Sequence, residues 1–145
     1  MNIQIFFIMF FAFSFLSIAP LSAQTQSGTN GPTEAPAGGI KLVQAVVSED
    51  LQEQTPQNVT TVFSIERRKA ICYTSFDPVP EKTEIYHNWF HRDRPSAKIK
   101  LTLKPPRWST YSSIQFRAQD IGPWRVEITD SNGQIFDILR FSITE

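Results

Sequence analysis

Cysteine is nearly absent: Cys72 is the one thiol in 145 residues. No intramolecular disulfide can form, and the paired-cysteine zinc motifs are excluded. Histidine is almost as scarce, with His87 and His91 the only two. An excess of one charge is missing too. The 14 Lys+Arg balance the 14 Asp+Glu, which leaves no bulk field to draw in nucleic acid. No long helix is predicted and no internal repeat is visible. Aromatic residues are plentiful at 12%, alongside 10 prolines, a composition that suits a β-rich domain and not a disordered chain. The length allows one domain, large enough to bury a core without covalent staples.

The densest apolar run is Ile5 to Leu16. Pro20 breaks it, and Leu21-Ser22-Ala23 places a small residue just before Gln24. Hydrophobic core, breaker and small residue together form the export pattern, so residues 1–23 are expected to be a signal peptide. Two features depart from that pattern: no Lys or Arg precedes the run, and Leu21 is larger than usual at its site. Gln24 stands where a lipoprotein carries cysteine, so no lipid anchor is expected there. The alternative is an uncleaved anchor, near the lower limit of about 17–25 residues for a span. Either way the domain is expected outside the cytoplasm, periplasmic or extracellular, and touches a membrane only through an uncleaved segment. Residues 24–39 hold almost no core-forming side chain and read as a flexible linker, or as a stub left after cleavage.

From Ile40 the chain changes character. Lys41 to Ser48 predicts a first strand, and Asp50 to Asn58, polar and containing Pro56, a loop. Thr60 to Ile65 and Ala70 to Phe76 predict strands separated by Glu66-Arg67-Arg68-Lys69; Thr61 to Arg68 could alternatively form a helical turn. Asp77-Pro78-Val79-Pro80 is a turn. Glu84 to His91 sets Ile85, His87, Trp89 and His91 on one face. Ser96 to Leu103 sets Ile99, Leu101 and Leu103 against Lys98, Lys100, Thr102 and Lys104, and Pro105-Pro106 ends that strand. Thr110 to Gln119 has Ile114 and Phe116 facing in, and Trp124, Val126 and Ile128 alternate with Arg125, Glu127 and Thr129. Asp130-Ser131-Asn132-Gly133 is a hairpin turn whose Asn-Gly pair can take positive φ. The strand from Gln134 to Thr144 then pairs back. Period-two alternation means one buried and one solvated face. Seven to eight short strands predict an all-β, antiparallel sandwich of immunoglobulin-like architecture over residues 40–145. Trp89, Trp124, Val126, Ile99, Leu101 and Phe141 should be buried together between its two sheets.

Seven pieces occur in order: Pro56, Cys72-Tyr73-Thr74, His87-Asn88-Trp89, Arg107 with Tyr111-Ser112-Ser113, Gly122-Pro123-Trp124-Arg125-Val126, Asp130 with Gly133, and Phe141-Ser142-Ile143. Together, over Leu42 to Ile143, they resemble the bacterial family known as domain of unknown function 2914. The resemblance implies a small β-sandwich of envelope proteins, often behind a signal or membrane segment. It implies no activity, cofactor or catalytic residue.

Enzyme chemistries find little support in the residues. His87 and His91 share a face, but four residues of strand separate them by about 13 Å, and one zinc needs each nitrogen within about 2.1 Å. His87 beside Trp89 reads as a half-buried structural histidine with a backbone or carboxylate partner. Cys72, mid-strand, reads as buried and inert. Ser112-Ser113 lacks the strand-to-helix turn of a nucleophile elbow. A carboxylate pair for sugar hydrolysis can assemble from distant positions, so an envelope hydrolase stays as a minor alternative. No catalytic residue, metal ligand or cofactor is expected.

Charge layout is the remaining signal. Residues 24–81 carry four basic and seven acidic residues, and residues 82–145 carry ten and seven. Lys98, Lys100 and Lys104 share a strand face, with Arg107 and Trp108 in the loop beyond. This basic stripe could grip an anionic glycan or an acidic protein surface of the envelope, or could simply be a solvated face whose lysines discourage edge-to-edge aggregation. Two function classes follow: a non-catalytic binding module, or a structural accessory domain of an envelope assembly.

Overall fold

The computed structural model describes residues 39–145; the expected signal peptide and residues 24–38 of the expected linker lie outside the described residues. Alternating apolar and polar side chains draw this stretch into nine strands among the described residues. They are β1 (Leu42–Gln52), β2 (Thr55–Val59), β3 (Val62–Ser64), β4 (Lys69–Phe76), β5 (Thr83–His91), β6 (Arg94–Leu103), β7 (Trp108–Gln115), β8 (Gly122–Asp130) and β9 (Ile135–Thr144). Two short 3-10 turns, Ile65–Arg67 and Ala118–Asp120, join them.

The strands form two sheets, β2-β1-β4-β7 and β3-β9-β8-β5-β6. The all-β, two-sheet expectation therefore holds, with two corrections. The strands number nine, and β3 pairs with β9 in parallel while every other pair is antiparallel. The extra strand comes from residues 50–58, expected as a loop. β1 runs on to Gln52, turns through Glu53 and Gln54 at φ 46° and 63°, and returns as β2. Pro56 is tolerated because β2 is an edge strand, where a missing N–H breaks no ladder.

Further differences are local. Residues 61–68 hold both a short strand and a helical turn, with the Ser64 hydroxyl accepting from the Glu66 N–H. β7 stops at Gln115, short of the expected Gln119. At the β8–β9 turn only Gly133 has positive φ, 84°. The Asp130 carboxylate accepts from the Asn132 and Gln134 N–H groups, both at 2.8 Å, and this closes the turn without Asn132 adopting that region.

The core lies between the sheets. Trp89, Trp124, Val126 and Phe141 are buried there as expected, with Phe63 packed edge-on against Phe141 and Phe116. Ile99 and Leu101 are only half-buried because β6 is an edge strand with a neighbour on one side. Proline-rich corners close one end of the sandwich. The Val79 N–H donates to the Pro106 carbonyl at 2.7 Å, and the Asp77 N–H to the Lys41 carbonyl at 2.9 Å. These two bonds hold Asp77 and Arg107 at the same end of the four-stranded sheet.

Candidate functional site

The side chains with reactive potential are locked in the core. His87 is fully buried, not half-buried, and its partners are hydroxyls from the opposite sheet in place of the expected backbone or carboxylate group. Its Nδ1 lies 2.8 Å from Ser112 Oγ and its Nε2 lies 3.2 Å from Thr74 Oγ1, while the Trp89 indole N–H donates to Ser112 Oγ at 3.1 Å. One polarity lets Ser112 both donate and accept: its O–H donates to Nδ1 while it accepts from Trp89, and the Nε2–H donates to Thr74. Burial pushes the His87 pKa down to about 4, so the ring is neutral at pH 7. Cys72 is buried as expected, and burial pushes its thiol pKa well above the usual range. His91 stacks on Trp124 at 4.6 Å and donates from Nε2 to the Ile121 carbonyl at 3.2 Å. No cluster of three or more metal-ligating side chains occurs among the described residues.

The basic stripe divides in two. Lys98 and Lys100 project from the outer face of the five-stranded sheet, where Lys98 Nζ sits 4.5 Å from the Tyr86 ring centroid and Lys100 pairs with Glu84 at 3.0 Å. The Glu84 carboxylate holds the Lys100 pKa above its ordinary value. Lys104 instead turns to the corner between the sheets, 5.3 Å from the Trp108 ring centroid. Arg107 is exposed, and Trp108 is half-buried as the first residue of β7, not a loop residue. The structure thus brings Lys104, Arg107 and Trp108 together and leaves Lys98 and Lys100 elsewhere.

At that corner opens a hollow of about 740 Å³, lined by Arg107, Trp108, Tyr73, Tyr111, Asp77 and Val43, with Gln54, Ser75, Ser109 and Thr110. Val43 lies near the start of β1 and Gln54 in the turn after it. Tyr73, in the same lining, is 8% exposed although its parity on β4 turns it away from the other sheet. Tyr111 across from it is 52% exposed. Ser109 Oγ donates to Ser75 Oγ at 3.0 Å, fixing two hydroxyls two residues along the strands from the paired tyrosines. An open hollow with an exposed ring, hydroxyls, one cation and one carboxylate suits an amphipathic ligand.

Sequence reasoning found Arg107 and Trp108 but missed Tyr73, Tyr111, Asp77 and Val43. A signal for Tyr111 was present: if Ile114 and Phe116 face in, period two turns Tyr111 out. Nothing comparable marks Val43 or Gln54, which stand at opposite ends of β1 and line the same hollow.

The same segment supplies the comparison with known proteins. Residues 82–143 match the family model for Protein of unknown function (DUF2914). The matched span runs from just before β5 almost to the end of β9 and includes Lys104, Arg107, Trp108 and Tyr111. Pro56 and Cys72-Tyr73-Thr74 fall outside it. No curated protein matches the chain. Similar solved structures include the beta-glucosidase from Listeria innocua, at 11% identity in each case. The mutant in complex with laminaribiose has TM-score 0.44 over 73% of this chain. The isofagomine complex has TM-score 0.43 over 72%. The chain spans 16% of those enzymes' length.

Proposed function

We propose that this chain is an exported, non-catalytic binding module of the bacterial cell envelope, taking an anionic partner in the hollow at the start of β7. The observation that carries the reading is that Arg107, Trp108 and the exposed Tyr111 ring line one open concavity, with the Lys104 ammonium beside the Trp108 ring. Arg107 supplies a forked cation for carboxylate or phosphate, and Tyr111 offers rigid apolar area at small entropic cost. The buried neutral His87 and buried Cys72 favour binding over catalysis, since burial keeps both away from solvent. The finer fold class belongs to the same reading. The opposition of β1, β4 and β7 to β9, β8, β5 and β6 supports an immunoglobulin-like reading of the sandwich.

The test is titration of the full chain with a polyuronate glycan and, separately, with acidic peptides, against Arg107→Glu and Tyr111→Ala. Saturable binding of either ligand, weakened about tenfold or more by each variant and by added salt, is the expected result. No binding of either sinks the reading. Export is checked by N-terminal sequencing of envelope protein, expected to begin near Gln24; an intact Met1 in membrane fractions would leave an anchored domain.

The accessory-domain reading draws on a different surface. Val59 and Val62, exposed on neighbouring edge strands of the two sheets, form a small apolar spot suited to bracing against a larger assembly.

A further inference from the structure

Four strands lie at sheet edges, β2 and β7 in one sheet and β3 and β6 in the other. Three are blunted. β6 carries Pro95, Lys98 and Lys100, β2 carries Pro56 and a left-handed Asn58 at φ 52°, and β3 is three residues long. β7 is eight residues, WSTYSSIQ, with no charge and no proline. It lacks every device that discourages another strand from adding.

The polarity of its backbone can be read from one bond. The Phe116 N–H donates to the Arg68 carbonyl at 2.8 Å, one step beyond the Lys69–Gln115 pair. Bonded and non-bonded pairs alternate in an antiparallel ladder, and the β4–β7 register has no shift. Trp108, Thr110, Ser112 and Ile114 therefore bond to β4. Ser109, Tyr111, Ser113 and Gln115 turn their N–H and C=O groups to the open edge. The hollow is lined by Arg107, Trp108, Ser109, Thr110 and Tyr111 in succession. Consecutive residues face opposite sides of a sheet, so the hollow runs along the backbone edge and not only across the outer face.

We propose that this edge takes an extended, acidic segment of a partner protein as an added strand. The inference rests on the binding-module reading and names its ligand. Strand addition supplies main-chain hydrogen bonds, and alternate side chains supply selectivity. Charge decides between a partner and a second copy. Lys104 and Arg107 stand at the start of β7, and Arg117 and Arg68 beyond its end; none is in an ion pair among the described residues. Two copies paired antiparallel about a twofold would bring the cationic start of one β7 against the cationic end of the other. An acidic segment meets complementary charge at both ends.

The test uses the full chain and a synthetic eight-residue peptide alternating glutamate with valine. Hydrogen exchange followed residue by residue should show the Ser109, Tyr111 and Ser113 amides slowed about tenfold or more by the peptide, with Ser112 and Ile114, already bonded to β4, unchanged. Ser113→Pro removes a donor that the fold does not use, and should weaken the peptide about tenfold without lowering the melting temperature. Arg107→Glu should weaken it similarly, and a peptide with lysine for glutamate should not bind. Peptide binding without slowing of the edge amides overturns strand addition but leaves the binding module standing. So does binding of the polyuronate with none of the acidic peptide. A concentration-dependent dimer with those amides protected makes the second copy the occupant and overturns the partner. Binding of neither ligand removes both readings.

Discussion

Tyr111 and Ser112 are consecutive on β7, and they belong to different molecules in all but sequence. Ser112 faces in, where its hydroxyl joins His87 of the other sheet and the Trp89 indole. Tyr111 faces out, half-exposed beside Arg107 in an open hollow. Both regions combine a hydroxyl, an aromatic ring and a nitrogen base. In the core every polar atom is spoken for: no buried side-chain nitrogen or oxygen lacks a partner among the described residues. In the hollow, Arg107 makes no ion pair among the described residues. Satisfaction, more than residue type, separates architecture from recognition.

The contrast can be broken or sharpened by substitution. Trp124, stacked between His91 and Phe141, is the heaviest test of the core; Trp124→Ala should cost about 3–5 kcal/mol in urea unfolding. A loss below about 1 kcal/mol would make it a surface ring.

His87 comes next, through pH. Its folded pKa, about 4, lies below the ordinary 6.5. As pH falls below 6.5 the unfolded chain takes up a proton that the folded chain refuses, so stability declines until about pH 4 and then levels with respect to this group. The full effect is on the order of 3 kcal/mol, read as the shift in unfolding midpoint between pH 7 and 4. His87→Asn should flatten that profile.

Ser112→Ala strands the Trp89 N–H and the His87 Nδ1, and should cost about 1–3 kcal/mol. Its neighbour should behave oppositely: Tyr111→Ala should change stability by no more than about 0.5 kcal/mol while weakening ligand binding. Smallest of all, changing Lys98 and Lys100 to Gln should leave both the melting temperature and binding unchanged. Lys104→Gln should weaken binding without unfolding the domain. Equal losses from all three lysines would restore one continuous stripe.

These experiments also bear on what the sequence discloses. The strands with clean alternation, β5, β6 and β8, are legible to within about two residues, because period two and burial are local properties. The β1–β2 hairpin is not. Glu53-Gln54 carries no Asn-Gly signature, and Pro56 argues against a strand unless that strand is known to be an edge, which is a tertiary fact. His87 shows the same limit: its partners Thr74 and Ser112 lie 13 and 25 residues away on the other sheet. Lys98, Lys100 and Lys104 share parity, which points to one stripe. The corner after Leu103 carries Lys104 away from that face and onto Trp108. Charge and parity are written in the sequence; the corner is not.

Apolar packing resists a slide of one sheet over the other through interdigitating side chains, without directional bonds. The bonds from His87 to Thr74 and Ser112 forbid that motion. Slipping one sheet by a single residue, about 3.4 Å, would break both and leave the imidazole facing hydrocarbon. The buried histidine thus works as an indexing pin. It fixes the longitudinal setting of the four-stranded sheet on its partner, and with it where β7 and its free edge stand relative to Lys104.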